Sequence, residues 1–131
     1  MSSKISSLPE LVSARALELG SKVAFIDDAA QISYEEIYEK VELLALNLIH
    51  QGLEKGDRVA IWSPNSINWI LVATAIQAAG GILVPINTRM RGSEAGFILN
   101  KSKAKFLFTE NNFLDIYYLD LLKDQDLPNL N

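Results

Sequence analysis

The feature that most constrains the fold is an uncharged run at residues 69–86, which contains only two polar side chains. A run of this composition is buried either in lipid or inside a protein. A membrane-spanning helix needs roughly 20 uninterrupted apolar residues, whereas Gly80, Gly81 and Pro85 interrupt this run. We therefore interpret it as a buried helix followed by a buried, β-branched strand, and we expect no transmembrane segment.

This run is part of a regular alternation of elements. Short apolar stretches with strand character recur along the chain, and helical patterns separate them. The predicted order is a strand at residues 57–63, a helix at 67–79, a strand at 82–86, a helix at 94–101 and a strand at 105–109. Such a βαβαβ unit forms a parallel sheet with helices on both faces, so we assign the chain to the α/β class.

Further elements are predicted on both sides of this unit. A helical pattern covers residues 8–19, and a short β-hairpin follows, with strands at 23–26 and 31–34 joined by a turn at 27–30. After the last strand, a helix is predicted at residues 113–123.

The helix after the hairpin is predicted to begin with a capping box. Ser33 stands three residues before Glu36, so each side chain can accept a hydrogen bond from the other residue's backbone N–H. Gly52 is expected to end this helix. One helical face carries the apolar residues Ile37, Val41, Leu44, Ala45, Leu48 and Ile49.

Composition excludes several kinds of site. The chain has no cysteine, so it holds no disulfide, thiolate metal site or cysteine nucleophile, and His50 is its only histidine. The formal charge is −4, whereas a dedicated nucleic-acid-binding domain is usually basic. The window at residues 89–105 has a net charge of +4, which we interpret as a solvated helix and strand end rather than as an anion-binding patch.

Short motifs of catalysis and phosphate binding are missing from the sequence. Neither G-x-G-x-x-G, nor G-x-x-x-x-G-K-[ST], nor G-x-S-x-G occurs. The pair Gly80 and Gly81 follows a helix rather than a strand, so we interpret it as a helix end and a close backbone approach.

Other residue clusters have structural explanations. Asp27 and Asp28 follow an apolar strand, as the acidic pair of a receiver domain does, but the later strand ends in Ser63 and not in a phosphate-accepting aspartate. We therefore interpret the pair as a hairpin turn. Trp62 and Trp69 are expected to be core or rim residues. A solvated helix face, stabilised by the helix dipole, explains the acidic cluster Glu35, Glu36, Glu39 and Glu42.

Four segments, in this order and spacing, resemble the start of the large domain of the adenylate-forming superfamily. They lie at residues 32–37, 57–69, 76–89 and 97–110. This superfamily includes acyl-CoA and aryl-CoA ligases, firefly-type luciferases and peptide-synthetase adenylation domains. The resemblance covers about residues 8–130, and the sequence VPINTR is most similar to that of the acyl-CoA ligase branch.

One segment departs from the family pattern. Where the family has a proline-containing helix start, this chain has Arg91, Gly92, Ser93 and Glu94. Proline presets the first helical turn, whereas glycine makes that turn more costly to order, so we expect a weakened start of this helix.

The resemblance implies a reaction for the complete enzyme. A carboxylate attacks the α-phosphate of ATP with Mg²⁺ assistance, and the thiol of coenzyme A then attacks the resulting acyl-adenylate. In the family, the phosphate loop with its lysine, the residues near the metal, the ribose-binding aspartate and the lysine of the C-terminal domain lie later in the chain. We therefore assign no catalytic, cofactor-binding or metal-ligating residue here, and we expect ATP, Mg²⁺ and coenzyme A to be bound only by the complete enzyme.

The resemblance also implies the domain organisation and the partners of this chain. Residues 1–131 are expected to be a single partial domain, the incomplete N-terminal portion of a ligase large domain, inactive alone and located in the cytoplasm. Its expected partners are the remainder of that large domain and the C-terminal domain; self-association is also expected, and nucleic-acid binding is not. Whether it is a truncated gene product, an excised fragment or one piece of a split enzyme stays open. The alternative is a free-standing α/β interaction or regulatory module that keeps the ligase scaffold.

Overall fold

The elements alternate along the chain as the sequence predicts for an α/β protein. The structure is a computed structural model that describes residues 4–114 and 116–131. Its helices and strands are α1 (Leu8–Leu19), β1 (Val23–Ile26), β2 (Gln31–Ser33), α2 (Tyr34–His50), β3 (Arg58–Trp62), α3 (Ile67–Ala78), β4 (Ile82–Ile86), α4 (Gly92–Ser102), β5 (Phe106–Thr109), β6 (Asn111–Phe113), β7 (Ile116–Tyr117) and a 3-10 helix (Tyr118–Leu122).

A parallel sheet of β3, β4 and β5 forms the centre of the fold. Its strand order is β4-β3-β5, so β3 lies in the middle. Val59 pairs with Leu83 on one side and with Phe106 on the other. The predicted parallel βαβαβ unit is confirmed.

Alternation of side chains along β3 divides the core into two layers. Val59 and Ile61 point to one face, where residues of α1, α2 and α3 cover them. Ala60 and Trp62 point to the other face and pack against α4 and the 3-10 helix. Helices therefore cover both faces, as predicted. No helix in the described ranges has the length and apolar character needed to cross a membrane.

The hairpin and the capping box are confirmed. Strands β1 and β2 pair antiparallel, and the N–H of Asp27 donates to the carbonyl of Ala30 across the turn. Ser33 Oγ accepts from the N–H of Glu36 at 3.2 Å, and Glu36 Oε2 accepts from the N–H of Ser33 at 2.8 Å. The apolar face predicted for α2 is buried or half-buried except at Ile49, half of whose surface is exposed.

The two glycines after α3 act as predicted. Gly80 has a φ of 87°, a left-handed conformation that glycine adopts without strain. A Cβ atom on Gly81 would lie 3.0 Å from Ile76 Cγ2, so the backbone approaches the helix closely there.

The prediction of a helix at residues 113–123 is wrong. The chain instead forms the short β6–β7 hairpin and then the 3-10 helix; Asp115 lies outside the described residues. Leu114 has a φ of 51°, which a right-handed helix does not accommodate. Tyr118 lies buried against Trp62, and this contact outweighs the weak helical pattern of the segment.

The prediction that Gly92 weakens the start of α4 overlooks how closely the chain packs there. A Cβ atom on Gly92 would lie 1.8 Å from the carbonyl oxygen of Leu121, so only glycine fits beneath the 3-10 helix. The start is also capped, because Glu94 Oε2 accepts from the N–H of Arg91 at 2.7 Å. Helix α4 accordingly begins at Gly92, two residues before the predicted position.

Candidate functional site

The strands of the parallel sheet end together at one edge. Trp62 of β3 is in register with Ile86 of β4 and Thr109 of β5. In open α/β sheets, ligands bind outside the carboxyl ends of the strands, where the connections of adjacent strands leave to opposite faces. Here β3 leads to α3 on one face and β4 leads to α4 on the other. The carboxyl edge of the sheet is therefore the candidate site.

Side chains tie the loops of this edge together. Trp62 Nε1 donates to the carbonyl of Asn87 at 3.1 Å, and Asn87 Oδ1 accepts from the N–H of Arg89 at 2.9 Å. Ser63 Oγ donates to Glu110 Oε2 at 3.3 Å, which joins the ends of β3 and β5. These hydrogen bonds link the ends of all three strands and so hold the loops of the edge in fixed positions relative to one another.

Tyr118 lies under this edge. Its ring meets Trp62 edge-on, with 4.7 Å between the centroids, and only 1% of its surface is exposed. Its hydroxyl has no hydrogen-bond partner among the residues that the structure describes. Burial, and then the negative charge of Glu110, raise the pKa of this phenol. The hydroxyl therefore stays protonated at neutral pH.

A cavity of about 510 Å³ opens beside Tyr118. Its lining includes Thr88, Arg89, Met90, Arg91, Leu114, Ile116, Tyr118 and Leu121. The guanidinium groups only donate hydrogen bonds and carry positive charge, so this cavity suits an anionic group. It offers no acidic cluster: within the described ranges, no group of three His, Cys, Asp or Glu side chains could hold a metal ion.

The basic window divides into two parts. Lys105 donates to Asp57 Oδ2 at 3.2 Å and to the carbonyl of Gly52, and Lys101 lies 5.6 Å from the ring centre of Phe97, so these lysines have structural contacts. Arg89 and Arg91, by contrast, line the cavity. Both arginines are exposed, and the interpretation of the window as a solvated helix and strand end stays a prediction.

The residues considered as alternatives from sequence lie elsewhere. The glutamates of α2 are all exposed, as predicted. Asp27 forms the hairpin turn, also as predicted. Sequence reasoning considered Arg89 and Arg91 only as part of the basic window, and it did not single out Tyr118. A second signal for the two arginines is their position, since both come soon after the carboxyl end of a predicted strand.

Comparison with known proteins gives a family match for most of the chain. The family model described as AMP-binding enzyme matches residues 12–130. A methyl-dioxo-octahydroindenyl-propanoyl:CoA ligase of Rhodococcus jostii (strain RHA1) is 34% identical over 132 residues, 98% of this chain and 26% of that enzyme. A mitochondrial medium-chain acyl-CoA ligase of Danio rerio is 34% identical over 101 residues, 77% of this chain and 17% of that enzyme.

Solved structures give the same picture of the fold. The N-terminal domain of FACL13 from Mycobacterium tuberculosis superposes with a TM-score of 0.76 at 27% identity, over 80% of this chain and 27% of that one. The N-terminal subdomain of NpsA from Klebsiella oxytoca has a TM-score of 0.76 at 24% identity, over 97% of this chain and 36% of that one, and so supports the fold alone. The chain thus spans about a quarter, or less, of the curated relatives it matches.

Proposed function

Because the chain belongs to the AMP-binding enzyme family, we propose that it is an N-terminal piece of an ATP-dependent carboxylic acid–CoA ligase that forms acyl-adenylates. Residues 1–131 would form one partial domain of the large domain, inactive alone. The relatives named as CoA ligases support the reaction class. Location in the cytoplasm is part of this proposal.

The observation that supports the proposal is the family match over residues 12–130. To the complete enzyme the chain would contribute the carboxyl edge of the sheet. Trp62, Asn87 and Tyr118 organise it, and Arg89 and Arg91 give it positive charge. The sequence contains no glycine-rich phosphate loop, and so no converging N–H donors and lysine to stabilise charge on a transferring phosphate. The chain therefore acts as a scaffold for chemistry that other segments perform.

The implied cofactors fit this edge unequally. A cavity whose lining includes Arg89 and Arg91 fits a phosphate-bearing molecule, such as ATP or coenzyme A. Mg²⁺ does not fit, because it needs several oxygen ligands and the described residues form no acidic cluster. The metal of the complete enzyme is thus assigned to other segments.

The partners are the remainder of the large domain and the C-terminal domain. The chain covers 27% of the solved N-terminal domain of FACL13, so most of that domain has no counterpart in it. In this arrangement the edge residues of the chain support catalytic segments carried by the rest of the ligase.

The test is ATP–pyrophosphate exchange by the purified chain with a panel of fatty and aromatic acids. We expect no exchange above the blank, with a full-length acyl-CoA ligase as the positive control. Robust exchange by the 131-residue chain would contradict the scaffold role.

The alternative function is an interaction module. A cavity of about 520 Å³ with a mostly apolar lining lies between α1, α2, α3 and β1, with Phe25 and Trp69 in its wall. Such a cavity can receive an apolar ligand or partner segment. Coding sequence for a phosphate loop downstream and in frame favours the ligase, and a stable monomer that ignores the remaining ligase segments favours the module.

A further inference from the structure

The cavity between α1, α2, α3 and β1 lies on the face of the sheet opposite to Tyr118. Its volume is about 520 Å³, within the range of roughly 300–1,000 Å³ that small-molecule sites occupy. It shares no lining residue with the cavity beside Tyr118. The proposed adenylation reaction therefore gives this second cavity no role.

The walls of this cavity favour a hydrocarbon ligand. Most of the lining is aliphatic or aromatic. Thr74 is a polar exception, but it is buried and its hydroxyl already donates to the carbonyl of Ile70 at 2.8 Å. Leu8 and Phe25 line the cavity and remain 45% and 43% exposed. An apolar ligand would remove this surface from water, which is favourable.

A positive charge lies in the same lining. Of the lining residues in the described chain, Arg15 is the only charged one. It lies on the same face of α1 as Leu8, Leu11 and Leu19, which are four or seven positions away. Its side chain is partly exposed and pairs with Glu18 through one guanidinium nitrogen. A guanidinium has several N–H donors, so Arg15 can bind a second anionic group as well.

A carboxylate beyond the cavity sets the orientation of a ligand. A neighbouring cavity of about 370 Å³ adjoins the first, since Phe25, Trp69 and Ile70 line both. Asp27 lies in the lining of this neighbouring cavity, and its negative charge disfavours an anion there. An elongated ligand would thus place its anionic group at Arg15 and its apolar part against Phe25 and Trp69.

We propose that this cavity binds a single-chain anionic amphiphile, an alkyl chain with a terminal anionic group, as a free monomer. The anionic group binds Arg15, and the chain lies between α1 and α3. One cation suits one such group, whereas an anionic lipid surface is recognised by several clustered basic side chains. The ligand undergoes no chemical change, so the inference does not depend on the proposed function.

The test measures the binding of decyl sulfate, below its micelle concentration, to the full chain at submicromolar concentration. Trp69 fluorescence reports occupancy, because Trp69 lines the cavity and Trp62 is fully buried on the other face of the sheet. Decanol and decyltrimethylammonium present the same chain with a neutral and a cationic group. Hexyl and octyl sulfate present shorter chains with the same anionic group. Calorimetry measures binding independently of fluorescence.

Three variants test the role of the charge. Arg15→Gln removes the cation, and Glu18→Gln removes the carboxylate that competes for it. Arg58→Gln is the matched control, because Arg58 is an exposed arginine that lines neither cavity. Arg15 and Glu18 are also exposed, so we expect all three variants to fold, and circular dichroism checks this.

We expect decyl sulfate to bind more tightly than decanol, and decyltrimethylammonium to bind more weakly. Each methylene added to the alkyl sulfate should tighten binding about fourfold. Arg15→Gln should weaken decyl sulfate binding about twofold to fivefold, and Glu18→Gln should strengthen it by a similar factor. Neither variant should change decanol binding, and Arg58→Gln should match the parent chain.

Several results would overturn the inference. These are equal affinity for the three decyl compounds, equal effects of Arg15→Gln and Arg58→Gln, and binding that begins only above the micelle concentration. Heat of binding without a change in Trp69 emission would place the ligand elsewhere and would also overturn it. Because the assay contains neither ATP nor a carboxylic acid substrate, its failure would leave the pyrophosphate-exchange result untouched. Adenylation by the chain alone would likewise leave this cavity unaffected.

Discussion

The carboxylate of Asp27 joins the β-hairpin to the first turn of α3: Asp27 Oδ2 accepts from the N–H of Ile67 at 3.0 Å. Its Oδ1 accepts from the N–H groups of Ala29 and Ala30, both at 2.9 Å. One side chain therefore closes the turn and satisfies a helix N–H that has no partner within the helix. These bonds, the one from Ile67 first, lower the pKa of Asp27.

The variant Asp27→Asn should be less stable than the parent chain at neutral pH. Because the folded-state pKa is lowered, the unfolded chain takes up the proton first as the pH falls. The stabilisation is thus complete above the usual aspartate pKa and is lost as the pH falls through the lowered value. Urea unfolding from pH 7 to pH 3 should show the gap between the two proteins closing. Exposed Asp28→Asn is the control, and a pH-independent gap would contradict this explanation.

The variant Ser33→Ala should lose about 1 kcal/mol of unfolding free energy, because it removes the acceptor for the N–H of Glu36 in the capping box. Urea melts measure the difference, with Ser21→Ala as the exposed control. A shift indistinguishable from zero would mean that Ser33 does not cap α2 in solution.

The variant Gly92→Ala should lose about 2–3 kcal/mol, because the new methyl group meets the backbone of Leu121 and forces it to move. Gly96 in the same helix provides the matched control. A Cβ there lies 2.7 Å from Oε1 of Gln125, the end of a flexible side chain. Gly96→Ala should therefore be neutral or stabilising. Equal losses in thermal melts of the two variants would argue against close packing at Gly92.

The variant Tyr118→Phe should be as stable as the parent chain or up to about 1 kcal/mol more stable, because burying an unpaired hydroxyl is costly. The raised pKa adds a pH signature. Above the ordinary tyrosine pKa the unfolded chain ionises first, so the parent loses stability there and the variant loses less. Denaturant melts at pH 8 and pH 11 test this, with exposed Tyr117→Phe as the control. A clear loss at pH 8 would show that the hydroxyl has a partner.

The isolated chain should self-associate at micromolar concentration. Several large apolar side chains are exposed, among them Leu17 at 90%, Leu114 at 77% and Ile26 at 74%. Exposed apolar surface and an open strand edge both favour association. Light scattering across a concentration series measures it. A monodisperse, cooperatively folding monomer would favour the interaction module.

Most of the architecture could be predicted because the strongest signals are local. The apolar runs of β3, β4 and β5 and the pair Ser33–Glu36 contain their own structural information. The segment after β5 could not be predicted in this way. Residues 116–122 are apolar and aromatic, a composition compatible with helix or strand, and the contact of Tyr118 with Trp62 decides between them.

The candidate site is harder to predict from the sequence than the fold. Its cavity needs Arg89, Arg91 and Tyr118 together, and the 3-10 helix that brings Tyr118 there was not predicted. The close approach at Gly92 likewise depends on Leu121, which is distant in sequence. Neither relationship has a local signature in the chain.

The contact between Gly92 and Leu121 has a consequence for engineering. A stability design based on helix propensity alone would replace Gly92 with alanine, since glycine is among the poorest helix formers. That change would displace the 3-10 helix, and with it Tyr118 from beneath Trp62. It would also loosen the chain that follows this helix, in which the N–H of Asn131 donates to the carbonyl of Lys105. At Gly92 the helix propensity favours alanine, whereas the tertiary packing requires glycine. Alanine would therefore stabilise α4 in isolation and destabilise the whole protein.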